Sequence, residues 1–159
     1  MVKKVIAALG VAVAALGCLT PAASAQTQAA PHCQYGSSYG VVVQPAAAIT
    51  PVSGGGSIGT VEVCRDGNYD YWAFAIYNSP MTVSEYAQVY LNRFRDGGLT
   101  ETVTCDDPGG NKRIAPGQTR CWTPKLTGLS GRWTFQAYSQ KFSSHTGSLL
   151  ATGHTGIIR

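Results

Sequence analysis

The chain has 159 residues, a formal net charge of +4, and 13% charged against 44% apolar residues. Its length suits one domain, and the lack of any Lys/Arg run excludes a nucleic-acid surface. Glycine, serine, threonine, tyrosine and valine are plentiful, a composition of strands and turns.

Residues 1–25 read as a secretory signal. Lys3 and Lys4 supply the positive start, Val5 to Gly17 the short apolar run, and Ala23-Ser24-Ala25 the cleavage site. That run is shorter than the roughly 20 residues a bilayer span needs. No second one follows, so no transmembrane segment is expected and the protein is placed outside the cell or on its surface. A competing reading is Ala15-Leu16-Gly17-Cys18, which resembles a lipobox whose cysteine would be acylated. It has alanine where leucine is usual, and a good A-x-A site follows it. Cleavage after Ala25 removes Lys3 and Lys4 and so halves the net charge of +4. Residues 26–32 are then a flexible lead-in and 33–159 a single β domain.

Cys33, Cys64, Cys105 and Cys121 remain after cleavage, an even number in an oxidising compartment. Of the three connectivities, Cys33–Cys64 with Cys105–Cys121 is favoured, because each closes a loop that local strand pairing already brings together. No Cys-x-x-Cys spacing points to a metal.

In chain order, Gly40 to Gln44 is a short strand, and Pro45 to Gly56, rich in Ala, Pro and Gly, reads as a long connection. Ile58 to Asn78 reads as a hairpin, with Asp66-Gly67 predicted at the centre of a type I′ turn. After the turn, Trp72, Phe74 and Ile76 share one face, and Tyr71, Ala73, Ala75 and Tyr77 the other. Neither face is charged, so both are expected to be covered. Val83 to Arg95 fits a helical stripe, with Thr82 and Glu85 as a capping box. Its Tyr, Val and Phe content and its β neighbours favour a strand, with Ala87, Val89 and Leu91 inward. Asp96-Gly97-Gly98 and Leu99 to Cys105 continue it as a second hairpin. Asp106 to Gly117 is expected to be a polar loop closed by Cys105–Cys121. A short strand ends at Cys121 to Pro124. Gly131 to Tyr138 alternates, with Trp133, Phe135 and Ala137 inward, and Ser148 to Ile157 is the last strand. Turn signals every 8–12 residues mark an antiparallel β-sandwich, or flattened barrel, of about seven to eight strands.

Candidate chemistry is sparse. His32, His145 and His154 lack the frame of a Ser-His-Asp triad and the short spacing of a zinc site. Asp106, Asp107 and Asn111 lack the calcium-loop frame, so a solvated loop is expected. No carboxylate pair stands out for glycoside hydrolysis. No catalytic residue, cofactor or metal is therefore expected. Trp72, Trp133 and Phe135 are read as core. Tyr69, Tyr71, Tyr77, Tyr86 and Tyr90 are candidates for a platform on which sugar rings stack. Separately, Pro124-Lys125-Leu126, just beyond Cys121, resembles the rigid loop of a substrate-like protease inhibitor presenting Lys125.

The residues Cys33-x-x-Gly36-x-x-Tyr39, then Gly59-Thr-Val-Glu-Val and Tyr71-Trp72-Ala73, resemble the layout of small actinobacterial exported proteins of the spore-associated protein A type. About half of the chain after the signal is covered. The Asp96-Gly-Gly hairpin and the long Cys105–Cys121 loop depart from it. The resemblance implies a location on the spore or hyphal surface and brings no catalytic residues. The expectation is a non-catalytic secreted protein that meets cell-wall polysaccharide or spore-surface components through an aromatic-rich face. The alternative is the Lys125 inhibitor.

Overall fold

A computed structural model describes residues 32–129 and 131–159. The expected signal, Cys18 and its lipobox, and residues 26–31 of the lead-in lie outside the described residues. The described residues contain no helix. They form β1 (Gln34–Tyr35), β2 (Ser38–Tyr39), β3 (Val41–Val42), β4 (Ala47–Pro51), β5 (Gly59–Arg65) and β6 (Asp70–Tyr77). There follow β7 (Tyr86–Arg95), β8 (Gly98–Thr104), β9 (Arg120–Trp122), β10 (Leu126–Thr127), β11 (Trp133–Phe142) and β12 (Leu149–His154). The main sheet runs β10-β6-β5-β4-β12-β11-β7-β8, with β3 on β5 and β9 on β6, while β1 and β2 form a separate ribbon. Its pairings are antiparallel, and it curls into a nearly closed barrel of the flattened kind expected, tied by two disulfides.

The barrel interior is built from alternate residues. Val61 and Val63 of β5, Tyr71, Ala73, Ala75 and Tyr77 of β6, Ala87, Val89 and Leu91 of β7, and Phe135 and Ala137 of β11 are buried together. Small alanines alternate with a few large rings, and Tyr71 stacks on Phe135 with centroids 4.2 Å apart. The other face of β6 is also buried. Trp72 and Phe74 lie outside the barrel with Cys33 and Cys64, flanked by Tyr35, Ile76 and Trp122. The β1–β2 ribbon lies over this outer core, and Cys33–Cys64 joins them. Gly40 permits the approach, since a Cβ there would stand 2.2 Å from the Trp72 ring. Beneath the ribbon, the fully buried Glu62 accepts a hydrogen bond from the Cys33 amide at 3.3 Å and meets the His32 ring.

Three local expectations are corrected. The β5–β6 turn is not a type I′ turn at Asp66-Gly67. Tyr69 N donates to the Asp66 carbonyl at 3.3 Å, Asp66 N to the Asp70 carbonyl at 3.1 Å, and the positive φ of 61° falls on Tyr69. The Asp66 carboxylate enforces this wider loop by accepting from the Asn68 and Asp70 amides at 2.9 and 3.1 Å. The two-residue turn forms instead at Asp96-Gly97, both with positive φ. Second, Pro45 to Gly56 is not one long connection. It contains β4, which pairs β5 on one side and β12 on the other and buries Ile49. Ala and Pro are weak strand formers, but here backbones pack closely; a Cβ on Gly153 would meet the Ala48 carbonyl at 2.4 Å. Third, the Asp106 to Gly117 loop is not merely polar. Its Ile114 is fully buried and bridges Ala87.

That loop closes the seam between β8 and the β6–β9 edge. Cys105 is linked to Cys121, Asn111 accepts from the Trp122 amide at 2.7 Å, and the Lys112 amide donates to the Cys105 carbonyl at 2.8 Å. Val83 to Arg95 resolves as strand from Tyr86 onward, with Ala87, Val89 and Leu91 inward as expected. The capping-box residues still meet, with Thr82 N on Glu85 Oε2 at 3.1 Å, but they close a turn before a strand.

Replacing Cys105 and Cys121 together by alanine is expected to lower stability by about 2–4 kcal/mol, because the seam loop is freed in the unfolded chain. Denaturant titration under non-reducing conditions checks this, and an unchanged midpoint refutes it. Inside the barrel, the Tyr77 hydroxyl hydrogen-bonds Ser139 Oγ at 2.9 Å, and Ser139 donates onward to the Gln88 carbonyl at 3.2 Å. Burial pushes the Tyr77 hydroxyl up to about 12, against the lowering effect of that hydrogen bond. The unfolded chain releases this proton near pH 10 and the folded chain does not. Stability from this group is therefore full below about pH 10 and lost as pH rises towards 12. Tyr77→Phe is expected to cost about 1 kcal/mol at neutral pH and to flatten the decline between pH 10 and 12. Parallel declines for variant and parent would contradict the assignment.

Candidate functional site

An ordered array of polar and aromatic side chains lies on the outer face of β7, β11 and β12. Strand alternation puts Ala87, Val89 and Leu91 inside, so Tyr86, Gln88, Tyr90, Asn92 and Phe94 face outward. The register with β11 sets Tyr86 opposite Phe142, Gln88 opposite Gln140, Tyr90 opposite Tyr138 and Asn92 opposite Gln136. On the far side of β11, His154 stands opposite Tyr138 and Thr152 opposite Gln140. On the near side, Thr104 and Thr102 of β8 stand opposite Tyr90 and Asn92. Rows of rings thus alternate with rows of amides and hydroxyls.

The rings are locked to one another. Tyr90 and Tyr138 stack with centroids 4.3 Å apart and planes 5° from parallel. Tyr86 stacks on Phe142 at 5.2 Å and on His145 at 4.7 Å. Several amides and hydroxyls are fixed too. Thr102 Oγ1 donates to Asn92 Oδ1 at 2.7 Å, Gln136 Nε2 to the Thr155 carbonyl at 3.0 Å, and Gln88 Nε2 to Asp106 Oδ2 at 2.8 Å. Thr152 Oγ1 donates to the Ser139 carbonyl at 3.1 Å. A shallow depression of about 370 Å³ lies in this array, lined by Asn92, Gln136, Tyr138, Thr152 and His154. A second, of about 340 Å³, begins at Tyr86 and is walled by Val83, Lys112, Arg113, Gln118 and His145.

Burial raises the Tyr138 hydroxyl above the usual tyrosine range. Burial also raises Tyr90, helped by Tyr138, Tyr86 and Asp106. Both rings are therefore neutral at physiological pH. Such a surface offers ring faces to apolar C–H groups and amides that both donate and accept hydrogen bonds.

The five tyrosines singled out in the sequence do not share a platform. Tyr71 and Tyr77 are buried in the barrel, because they fall on the inward face of β6. Tyr69 sits at the β5–β6 turn beneath the Arg65 guanidinium, 4.7 Å from its ring centroid. Tyr86 and Tyr90 do lie on the outer face. Their partners Tyr138 and Phe142, and the amides of Asn92, Gln136 and Gln140, were missed. The signal that would have found them is the outward parity of β11, which is legible once β7 and β11 are known to be neighbours.

Lys125 is not an exposed loop lysine. Its Nζ lies 2.7 Å from Asp66 Oδ2, over the rings of Tyr35 and Trp72 at 4.6 and 5.1 Å. Pro124 and Leu126 are half-buried, and Leu126 pairs with Tyr71 in the sheet. Burial acts to raise Asp66, but the hydrogen bonds from Lys125 and from the Asp70 and Asn68 amides outweigh it and hold the carboxyl below its ordinary value. The segment is a staple across the hairpin, and its lysine is not offered as bait.

Other acids have similar structural partners. Glu85 pairs with Lys141 at 3.0 Å, Glu101 with Arg93 at 2.6 Å, Asp96 with Arg132 at 2.8 Å and Asp106 with Arg113 at 3.5 Å. Asp107 accepts from the Thr104 amide at 2.6 Å. Asp106, Asp107 and Asn111 are each held by a different protein donor, not gathered around a common point. Cys33, Glu62 and Cys64 cluster within ligand distance of one another, but the two sulfurs are spent in a disulfide.

Comparisons with protein-family models, curated proteins and solved structures give no match to this chain.

Lys125→Ala is expected to destabilise the fold by about 1 kcal/mol, through loss of a partly buried ion pair and two cation–π contacts. Thermal unfolding of the variant checks this. The loss should shrink as pH falls through the depressed Asp66 titration, because protonated Asp66 no longer attracts the ammonium. A variant as stable as the parent at neutral pH would show that Lys125 is not a staple.

Proposed function

We propose that this is a non-catalytic secreted protein that holds polysaccharide of the cell wall or spore surface on the outer face of β7, β11 and β12. The observation that carries this reading is the depression lined by Asn92, Gln136, Tyr138, Thr152 and His154. Tyr90 covers one face of the Tyr138 ring and so fixes the ring upright without using its polar edge. A sugar ring laid in the depression finds an aromatic wall for its C–H face, and amide and hydroxyl groups for its equatorial oxygens. Because the rings are already stacked and most of the amides already bonded, little side-chain entropy is lost on binding.

Non-catalytic action is supported by the fate of the acids. With Asp70 aside, each aspartate and glutamate of the β domain has a protein partner of its own. Two disulfides in a chain of this size are compatible with an extracellular location. The resemblance to exported spore-surface proteins supports the surface part of the reading.

The test is retention on isolated cell-wall material and on neutral oligosaccharides. Tyr138→Ala and Gln136→Ala are expected to weaken retention about tenfold each, the loss of one stacked ring or one amide pair, with the cooperative thermal unfolding of the folded barrel retained. Wild-type protein that stays wholly in solution over wall material would sink the proposal. So would retention unaffected by either variant.

A further inference from the structure

A third, chemically different pocket lies at the barrel end that carries the β5–β6 and β7–β8 turns. It has a volume of about 310 Å³ and is lined chiefly by Arg65, Tyr69, Tyr71, Leu129, Trp133 and Arg159. We propose that it binds the anionic group of an acidic sugar, a carboxylate or phosphate, with the sugar ring against the aromatic walls.

The charge balance points this way. The ion pairs of lysine and arginine among the described residues use Arg93, Arg113, Arg132, Lys125 and Lys141, but none includes Arg65, Arg95 or Arg159. Asp96 and Glu101, the acids of the neighbouring turn and strand, are held by Arg132 and Arg93, Asp66 of the β5–β6 turn is held by Lys125, and no aspartate or glutamate is among the residues that line the pocket. Arg65 Nε is buried without a hydrogen-bond partner, an arrangement that costs free energy until an acceptor arrives. The Arg65 guanidinium lies 4.7 Å from the Tyr69 ring centroid, and that of Arg95 lies 5.2 Å from the Trp133 ring centroid. Guanidinium groups fixed on rings are pre-set for planar, two-point recognition of carboxylate or phosphate. The remaining walls are Tyr69, Tyr71 and Trp133, a surface for the ring that bears the anion. Tyr69 occupies a left-handed backbone position, φ 61°, more easily taken by glycine or asparagine. Its ring supports Arg65 there, which glycine would not.

This inference shares with the preceding section only the polymer class. Its site lies at the barrel end, and its chemistry is ionic where the depression on the outer face offers amides, hydroxyls and rings. The test measures binding of three probes to the protein by calorimetry: an oligogalacturonate, an oligosaccharide bearing phosphate monoesters and a neutral oligosaccharide of equal length. Inorganic phosphate serves as the anion alone. Binding of at least one acidic probe is expected, weakening as salt rises, and the two acidic probes decide between carboxylate and phosphate. Arg65→Gln and Arg159→Gln should each reduce it about tenfold, whereas Tyr138→Ala should leave it unchanged. Arg159 is exposed, so its variant keeps the test valid even if Arg65→Gln fails to fold. The inference is overturned if neither acidic probe binds, if both arginine variants bind as the parent does, or if phosphate alone matches the acidic saccharides. Loss of acidic binding in Tyr138→Ala would also overturn it, by placing the anion on the outer face.

Discussion

The register between β5 and β6 decides what is inside this protein. Pairing Arg65 with Tyr71 sets Val63 opposite Ala73 and Val61 opposite Ala75, so small side chains of β6 share the interior with the valines of β5. A two-residue turn at Asp66-Gly67 would shift that pairing by an odd number of residues and so turn β6 over. Trp72, Phe74 and Ile76 would then compete for the space beside Val61, Val63 and Leu91. An interior at native packing density does not absorb that extra volume. The carboxylate of Asp66 settles the register, because it gathers the Asn68 and Asp70 amides and widens the loop. Lys125, clamped to the same carboxylate, ties the register to β10.

Two consequences follow for the rest of the barrel. With the large rings of β6 outside, a second small core is needed over them, which the β1–β2 ribbon and Cys33–Cys64 supply. With alanines inside, the barrel can be narrow, and β4 can lie against β12 at a distance that admits glycine at position 153. The sheet does not close on itself by strand pairing between β8 and β10. Its seam is instead held by Cys105–Cys121, by Ile114 bridging Ala87, and by Arg93 donating to the Thr127 carbonyl at 3.3 Å.

Alternation made much of this legible. The Val83 to Arg95 strand, the inward set Ala87, Val89 and Leu91, and both disulfide pairs could be read because each rests on period-two patterning or on local pairing. What could not be read rests on tertiary context. β4 has the composition of a linker, and only its neighbours make it a strand. The Asp-Gly signature occurs twice, and only at Asp96-Gly97 does no competing side chain override it. Lys125 looked exposed because its partner lies far away in sequence, at Asp66. The platform expected from five tyrosines failed on parity, since Tyr71 and Tyr77 sit on the inner face of β6 and only Tyr86 and Tyr90 point out.

The same parity explains why polar and aromatic surfaces stay open on a protein most of whose acids are engaged. An all-antiparallel barrel has an outer face for every inner one, and part of this one is covered: by the ribbon over β5 and β6, and by the seam loop beside β7. The β7–β11–β12 face and the barrel end at Trp133 are open. On the first, cross-strand pairing has sorted like with like, ring against ring and amide against amide, an arrangement that rigid stacking stabilises. At the second, stacking on Tyr69 and Trp133 holds arginines whose charges are not neutralised by neighbouring acids. Both surfaces rely on aromatic rings as supports for polar groups. One presents neutral hydrogen-bonding edges and the other positive charge, so a polymer that carries both neutral and acidic sugars could engage the two at once. Two weak sites on one rigid barrel would then act with the effective concentration of a single linked ligand, which suits retention on a surface better than tight capture of a free molecule.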